Sequence, residues 1–143
     1  MKEKEFLSES VQETKEFAKE FAEHLKPGDV VCLKGDLGAG KTHFVKGMAV
    51  AFGIDESEVQ SPTFTLINEY KGSLPLYHFD CYRMESVREA LEIGAEEYFY
   101  GDGVSVIEWP DQIKEIIPPE ATWITITSTA PTKRKFVIQQ KGL

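Results

Sequence analysis

Eight consecutive residues, Gly35-Asp36-Leu37-Gly38-Ala39-Gly40-Lys41-Thr42, carry the most specific chemistry in the sequence. They meet the P-loop pattern Gly-x4-Gly-Lys-Ser/Thr at every fixed position. Small residues at Gly38, Ala39 and Gly40 let the backbone pass close around a phosphate with its N–H groups pointing inward. A helix N-terminus just behind them adds the positive end of its dipole. Lys41 is expected to reach the β- and γ-phosphates, and the Thr42 hydroxyl to ligate Mg²⁺. Residues Leu37 to Thr42 are thus the expected phosphate-binding set. The alternative is a glycine-rich turn without a ligand, which has no need of the Lys-Thr pair.

A P-loop site also needs a carboxylate at the tip of a neighbouring strand to complete the Mg²⁺ shell. Glu108 ends the apolar run Val104 to Ile107, where open α/β sheets bind ligands. Asp80 closes Tyr77-His78-Phe79-Asp80 and is the second candidate, although polar residues alternate on half-buried strands anyway. His78 and Asp80 share one strand face, but no third ligand follows at a metal-site spacing. Ser61-Pro62-Thr63 reads equally well as a switch loop sensing the γ-phosphate or as an ordinary proline turn. His24 and His43 read as helix-surface residues.

The elements that must hold these groups follow from spacing. Ser10 and Glu13 form a capping-box pattern before a helix whose apolar positions are Val11, Thr14, Ala18, Phe21 and Leu25. Pro27-Gly28-Asp29 turns the chain into the buried strand Val30 to Leu33. The P-loop comes next, then a helix from His43 to Phe52 ending at Gly53. The runs 64–70 and 76–82 around Lys71-Gly72-Ser73 predict a β-hairpin. A short helix is expected from Glu85 to Ile93, a strand from Val104 to Ile107, a helix from Asp111 to Ile117, and strands at 123–128 and 136–140. No linker or repeat interrupts the 143 residues, so 1–143 is expected to be one domain.

A formal net charge of −8 argues against a free-standing nucleic-acid binder, which needs Lys and Arg for its phosphate contacts. The opening residues MKEKEF lack the apolar core of a signal peptide. No run reaches the roughly 18 apolar residues of a membrane helix. Cys32 and Cys81, isolated from each other, give neither a disulfide framework nor a zinc spacing. Reduced thiols and a cytoplasmic location, away from membranes, are the expectation.

The succession Gly35 to Thr42, Ser61-Pro-Thr-Phe-Thr-Leu66, Tyr77-His-Phe-Asp-x-Tyr-Arg83 and Glu108-Trp-Pro110 resembles the bacterial TsaE (formerly YjeE) family over essentially the whole chain. The resemblance implies an ATPase required for threonylcarbamoyladenosine in tRNA, working with the TsaD–TsaB pair that performs the transfer. Contact with tRNA would then be indirect, through that complex. It further implies that Lys41 and Thr42 bind phosphate and Mg²⁺, that Glu108 belongs to the metal shell, and that Asp80 acts in hydrolysis. Trp109 is expected near the nucleotide or a partner surface. The family's Glu-Thr pair near the base is Glu13-Thr14 here. Its Gly-Arg pair before the last strand is replaced by Thr132-Lys133-Arg134, so Thr132 and Lys133 are the nucleotide-contact candidates at that end.

Together these features predict a three-layer α/β, P-loop NTPase-like domain with a mixed sheet that includes an antiparallel hairpin. The expected reaction is attack of water on the γ-phosphate of ATP, with Lys41 and Asp80 as catalytic residues and Thr42 and Glu108 on the metal. No arginine finger is evident, so slow intrinsic turnover is expected. The rival functions are a nucleotide-gated scaffold without significant turnover and a small P-loop metabolite kinase.

Overall fold

Val30 to Leu33 are buried throughout, and around them the computed structural model builds a seven-stranded sheet. The structure describes residues 2–36, 39–62 and 65–140. In chain order the elements are β1 (Lys2–Ser8), α1 (Val11–Ala22), β2 (Val30–Lys34), α2 (Lys41–Ala51), β3 (Ile67–Tyr70) and β4 (Leu76–Asp80). They continue with α3 (Val87–Glu92), α4 (Ala95–Phe99), β5 (Val104–Glu108), β6 (Thr122–Ala130) and β7 (Lys133–Gln140). The strand order is β1-β7-β6-β2-β5-β4-β3. The four central strands β6, β2, β5 and β4 run parallel, while β7 and β1 at one edge and β3 at the other are antiparallel.

Parallel strands buried on both faces read as continuous apolar runs, as β2 and β5 do. On one face, α1 and α2 pack Ala18, Ala22, Phe44, Val45 and Met48 against Val31, Leu33, Val106 and Ile124. On the other, α3, α4 and the 3₁₀ segment Pro110–Ile116 cover Cys32, Phe79 and Ile107. Three layers result, as the sequence predicts. Both cysteines are free and buried in this second layer. Burial pushes the Cys32 thiol well up and that of Cys81 to about 12, so neither is a reactive thiolate.

Several elements differ from the sequence reading. Strand β1 was not expected, because Lys2-Glu3-Lys4-Glu5 has no apolar alternation. It exists because Phe6 stacks on Phe17 with ring centroids 4.1 Å apart and because all seven residues pair with β7. Helix α1 stops at Ala22 rather than reaching Leu25, and Val11 is exposed instead of joining its buried face. The Ser10 side chain accepts from the Glu13 amide as expected, but Glu13 reaches back to the amide of Glu9 rather than to that of Ser10. The helix expected over 111–117 is 3₁₀, broken at Ile113 by φ −128°. Gly94, with φ +79°, ends α3 as expected and at once opens α4, which was not foreseen.

Candidate functional site

The phosphate loop hangs between the end of β2 and the start of α2, so its position is set by a buried central strand of the sheet. Gly35 lies so close to β6 that a Cβ there would stand 2.9 Å from the Ile126 carbonyl oxygen. Gly40 adopts φ +103°, a conformation L side chains rarely take, and in it hands the chain to Lys41. These two glycines of the motif are thus explained by geometry. Leu37 and Gly38 lie outside the described residues.

Lys41 is only 5% exposed. Its Nζ donates to the Gly35 carbonyl at 2.7 Å and sits 3.7 Å from the centroid of the Trp109 ring. Trp109 achieves this through a left-handed backbone, φ +57°, followed by Pro110. Burial pushes the Lys41 ammonium below its ordinary range, while Glu108, Asp80 and Asp36 push it part of the way back. The cation thus stands among carboxylates but largely out of water.

Asp80 and Glu108 are register partners at the tips of the adjacent parallel strands β4 and β5, both buried. Asp80 Oδ1 accepts from the Tyr82 amide at 2.9 Å. Glu108 Oε2 lies 2.5 Å from His78 Nε2. Asp80, Glu108, Lys41, Thr42 and Gly40 line one cleft of about 640 Å³. The far wall of this cleft includes Thr14, Ser61 and Thr132. Ala39 is buried behind it and gives its carbonyl oxygen to Arg134 Nε at 2.9 Å.

Thr14 is buried and bonds to Ser8 Oγ at 2.8 Å. The Ser8 proton goes to the Ser10 carbonyl, so Thr14 donates to Ser8 and presents acceptor lone pairs elsewhere. Lys133 does not join the group: it is exposed on β7 and absent from the cleft wall. Ser61 is exposed and Pro62 buried, with the Pro62 carbonyl accepting from Leu66; Thr63 lies outside the described residues. His43 also lines the cleft, with a buried Nδ1 that has no hydrogen-bond partner among the described residues, so it is more than a surface residue.

Two residues at the site escaped the sequence reading of its chemistry. Arg134 binds the carbonyls of Ala130, Pro131 and Lys133 through Nη1 as well as that of Ala39. His78 was weighed only as a metal ligand, whereas it contacts Glu108. Only the Arg following Lys133 hinted at the first, and the two-residue spacing to Asp80 at the second.

Whether Mg²⁺ fits can be judged from the donor set. The hydroxyl of Thr42 and the carboxylates of Glu108 and Asp80 are hard oxygen donors suited to that ion. Among the described residues no group of three or more His, Cys, Asp and Glu could hold a metal. Mg²⁺ keeps several waters and takes one or two carboxylates plus substrate phosphates, a demand that two carboxylates and a hydroxyl can meet.

A buried parallel strand, a glycine loop, the helix behind it and acidic tips on the neighbouring strands define a P-loop NTPase-like domain. Residues 8–136 match the family described as Threonylcarbamoyl adenosine biosynthesis protein TsaE. The chain is 46% identical over 143 residues to the tRNA threonylcarbamoyladenosine biosynthesis protein TsaE of Bacillus subtilis, covering 99% of this chain and 89% of the relative. It is 42% identical to the protein of the same name from Treponema pallidum, covering 92% and 97%. The crystal structure of YdiB from Bacillus subtilis superposes with a TM-score of 0.83 at 42% identity, over 99% of this chain and 87% of that one. The chain belongs to the TsaE family.

Proposed function

We propose that this protein binds ATP with Mg²⁺ in the cleft, hydrolyses it, and by doing so serves the TsaD–TsaB pair in making threonylcarbamoyladenosine in tRNA. The observation that carries this reading is the convergence of Lys41, Thr42, Asp80 and Glu108 on one cleft behind the phosphate loop. Each has a distinct task. Lys41 leaves the Gly35 carbonyl to neutralise the β- and γ-phosphates. The loop amides and the α2 N-terminus hold the remaining phosphate oxygens. Thr42 and Glu108 would hold Mg²⁺, which when bound draws charge from the phosphate oxygens. Asp80, fixed by the Tyr82 amide, orients the attacking water. Positioning and electrostatics supply the catalysis.

ATP is favoured over GTP because the sequence has no Asn-Lys-x-Asp segment and because Thr14, an acceptor in this arrangement, suits the amino group of adenine. Two buried free thiols fit a reducing compartment, the cytoplasm. No helix among the described residues is long and apolar enough to cross a membrane. The test is phosphate release by the protein alone, with a panel of small metabolites, and with the TsaD–TsaB pair. Turnover raised by the pair alone supports the proposal. A metabolite that consumes ATP stoichiometrically makes the protein a kinase, and binding without turnover in all three makes it a nucleotide-gated scaffold.

A further inference from the structure

The two carboxylates at the strand tips are held by different devices. Asp80 is fixed by a backbone amide two residues on, which any sequence could provide. Glu108 has instead a side chain built for it. His78 lies in the middle of β4, fully buried, and its Nε2 is 2.5 Å from Glu108 Oε2. Parallel pairing of β4 with β5 sets His78 opposite Val106 and Asp80 opposite Glu108, so the imidazole lies one strand over and one pleat behind the carboxylate.

The ring's other nitrogen settles the proton inventory. His78 Nδ1 is buried and has no hydrogen-bond partner among the described residues. A neutral imidazole has one donor and one acceptor nitrogen, and an ionised carboxylate only accepts. The proton therefore belongs on Nε2, between the ring and Glu108, with Nδ1 bare. Glu108 Oε2 is thereby engaged from inside the sheet, and Oε1 is the oxygen left for the cleft.

We propose that His78 is a positioning residue that locks the rotamer of Glu108 so that its second oxygen stands ready for the hydrated Mg²⁺ of the nucleotide. This rests on the reading of Glu108 as a metal-shell residue. Partners of this kind, which orient a ligand without touching the metal, change metal affinity or activity by about 10–100-fold when removed.

The experiment compares wild type with His78→Leu, His78→Gln and Glu108→Gln in the full chain. A Mg²⁺ titration of non-hydrolysable ATP analogue binding and the kcat and KM of hydrolysis are measured. Imidazole nitrogen NMR of the nucleotide-free wild type is recorded alongside. The Mg²⁺ concentration for half-maximal binding should rise about 10–100-fold in His78→Leu, with analogue affinity in the absence of Mg²⁺ unchanged. His78→Gln should return to within a few-fold of wild type, because its amide nitrogen can donate from nearly the place of Nε2. The wild-type spectrum should show the proton on Nε2 and a bare Nδ1.

A His78→Leu titration that overlays wild type while Glu108→Gln is displaced overturns the role of His78 and leaves Glu108 on the metal. If Glu108→Gln itself overlays wild type, the metal reading of Glu108 fails and this proposal fails with it. Equal impairment in His78→Leu and His78→Gln reduces His78 to packing, and a proton on Nδ1 is equally fatal. The nitrogen spectrum needs no variant, so it decides the matter even if His78→Leu does not fold.

Discussion

Replacing Arg134 with alanine should loosen the phosphate loop from the turn between β6 and β7 that borders the same cleft. Its Nε bond to the Ala39 carbonyl, 2.9 Å long and partly buried, joins two segments separated by 95 residues. The Nη1 bonds to Ala130, Pro131 and Lys133, at 3.1, 3.3 and 3.0 Å, brace only its own turn. Bonds from a charged donor contribute about 1.5–3 kcal/mol when the acceptor is shielded. The bonds to Pro131 and Lys133 are exposed and the part-buried one to Ala130 stays within the turn, so the loss that reaches the loop is that of the Ala39 bond. A loss of about 2 kcal/mol corresponds to roughly 30-fold in an equilibrium constant. If the loop must be reordered on binding, that factor appears in nucleotide affinity; if the bond is already made in the free protein, the melting temperature falls instead, by about 7 °C.

Calorimetry with ADP and thermal unfolding read the two effects separately. Arg134→Lys keeps the charge but not the planar fork, so it should recover only part of the affinity. Full recovery by lysine would make the effect one of charge, and the tether argument would be wrong. So would an alanine variant that binds within threefold of wild type.

Three further outcomes follow from the same geometry. Glu108→Ala should weaken the Mg²⁺ dependence of nucleotide binding and cut hydrolysis without unfolding the protein; a metal titration identical to wild type would move the metal role, with Asp80 next to be tried. Asp80→Ala should bind ATP normally yet fail to turn over and fail to support tRNA modification with TsaD–TsaB, and normal turnover would remove Asp80 from the chemistry. In the metal- and nucleotide-free protein, the lowered Lys41 value means that the unfolded chain binds more protons between that value and the ordinary 10.5. Wild type should therefore be less stable than Lys41→Met at neutral pH, and the gap should close as pH rises through that window. Denaturation midpoints that track each other across it would show that Lys41 carries no such penalty.

How much of this could be read from sequence depends on the distance over which each feature is determined. The loop from Gly35 to Thr42 is dictated locally, and the apolar runs around it left little choice about β2, α2 and β5. Glu108 was a candidate because it ends an apolar run and Asp80 a second one on an alternating strand, although only the parallel register shows them side by side. Strand β1 was invisible because its partners lie at the other end of the chain and its own Lys-Glu alternation carries no burial signal. Arg134 and His78 act across 95 and 30 residues, where spacing along the chain says nothing about contact. Lys133 lies off the cleft wall because neighbouring residues on a strand point to opposite faces, so Arg134 turns toward the loop while Lys133 stays in solvent.

ATP affinity of wild type and of Lys41→Ala, measured by calorimetry with Mg²⁺ present, tests the central claim most directly. Lys41 is the cation fixed within the motif and already stands in the cleft between Gly35 and Trp109. Tight binding by wild type and its loss in Lys41→Ala is the predicted result. Unchanged affinity in the folded variant would contradict the assignment of this cleft as an ATP site.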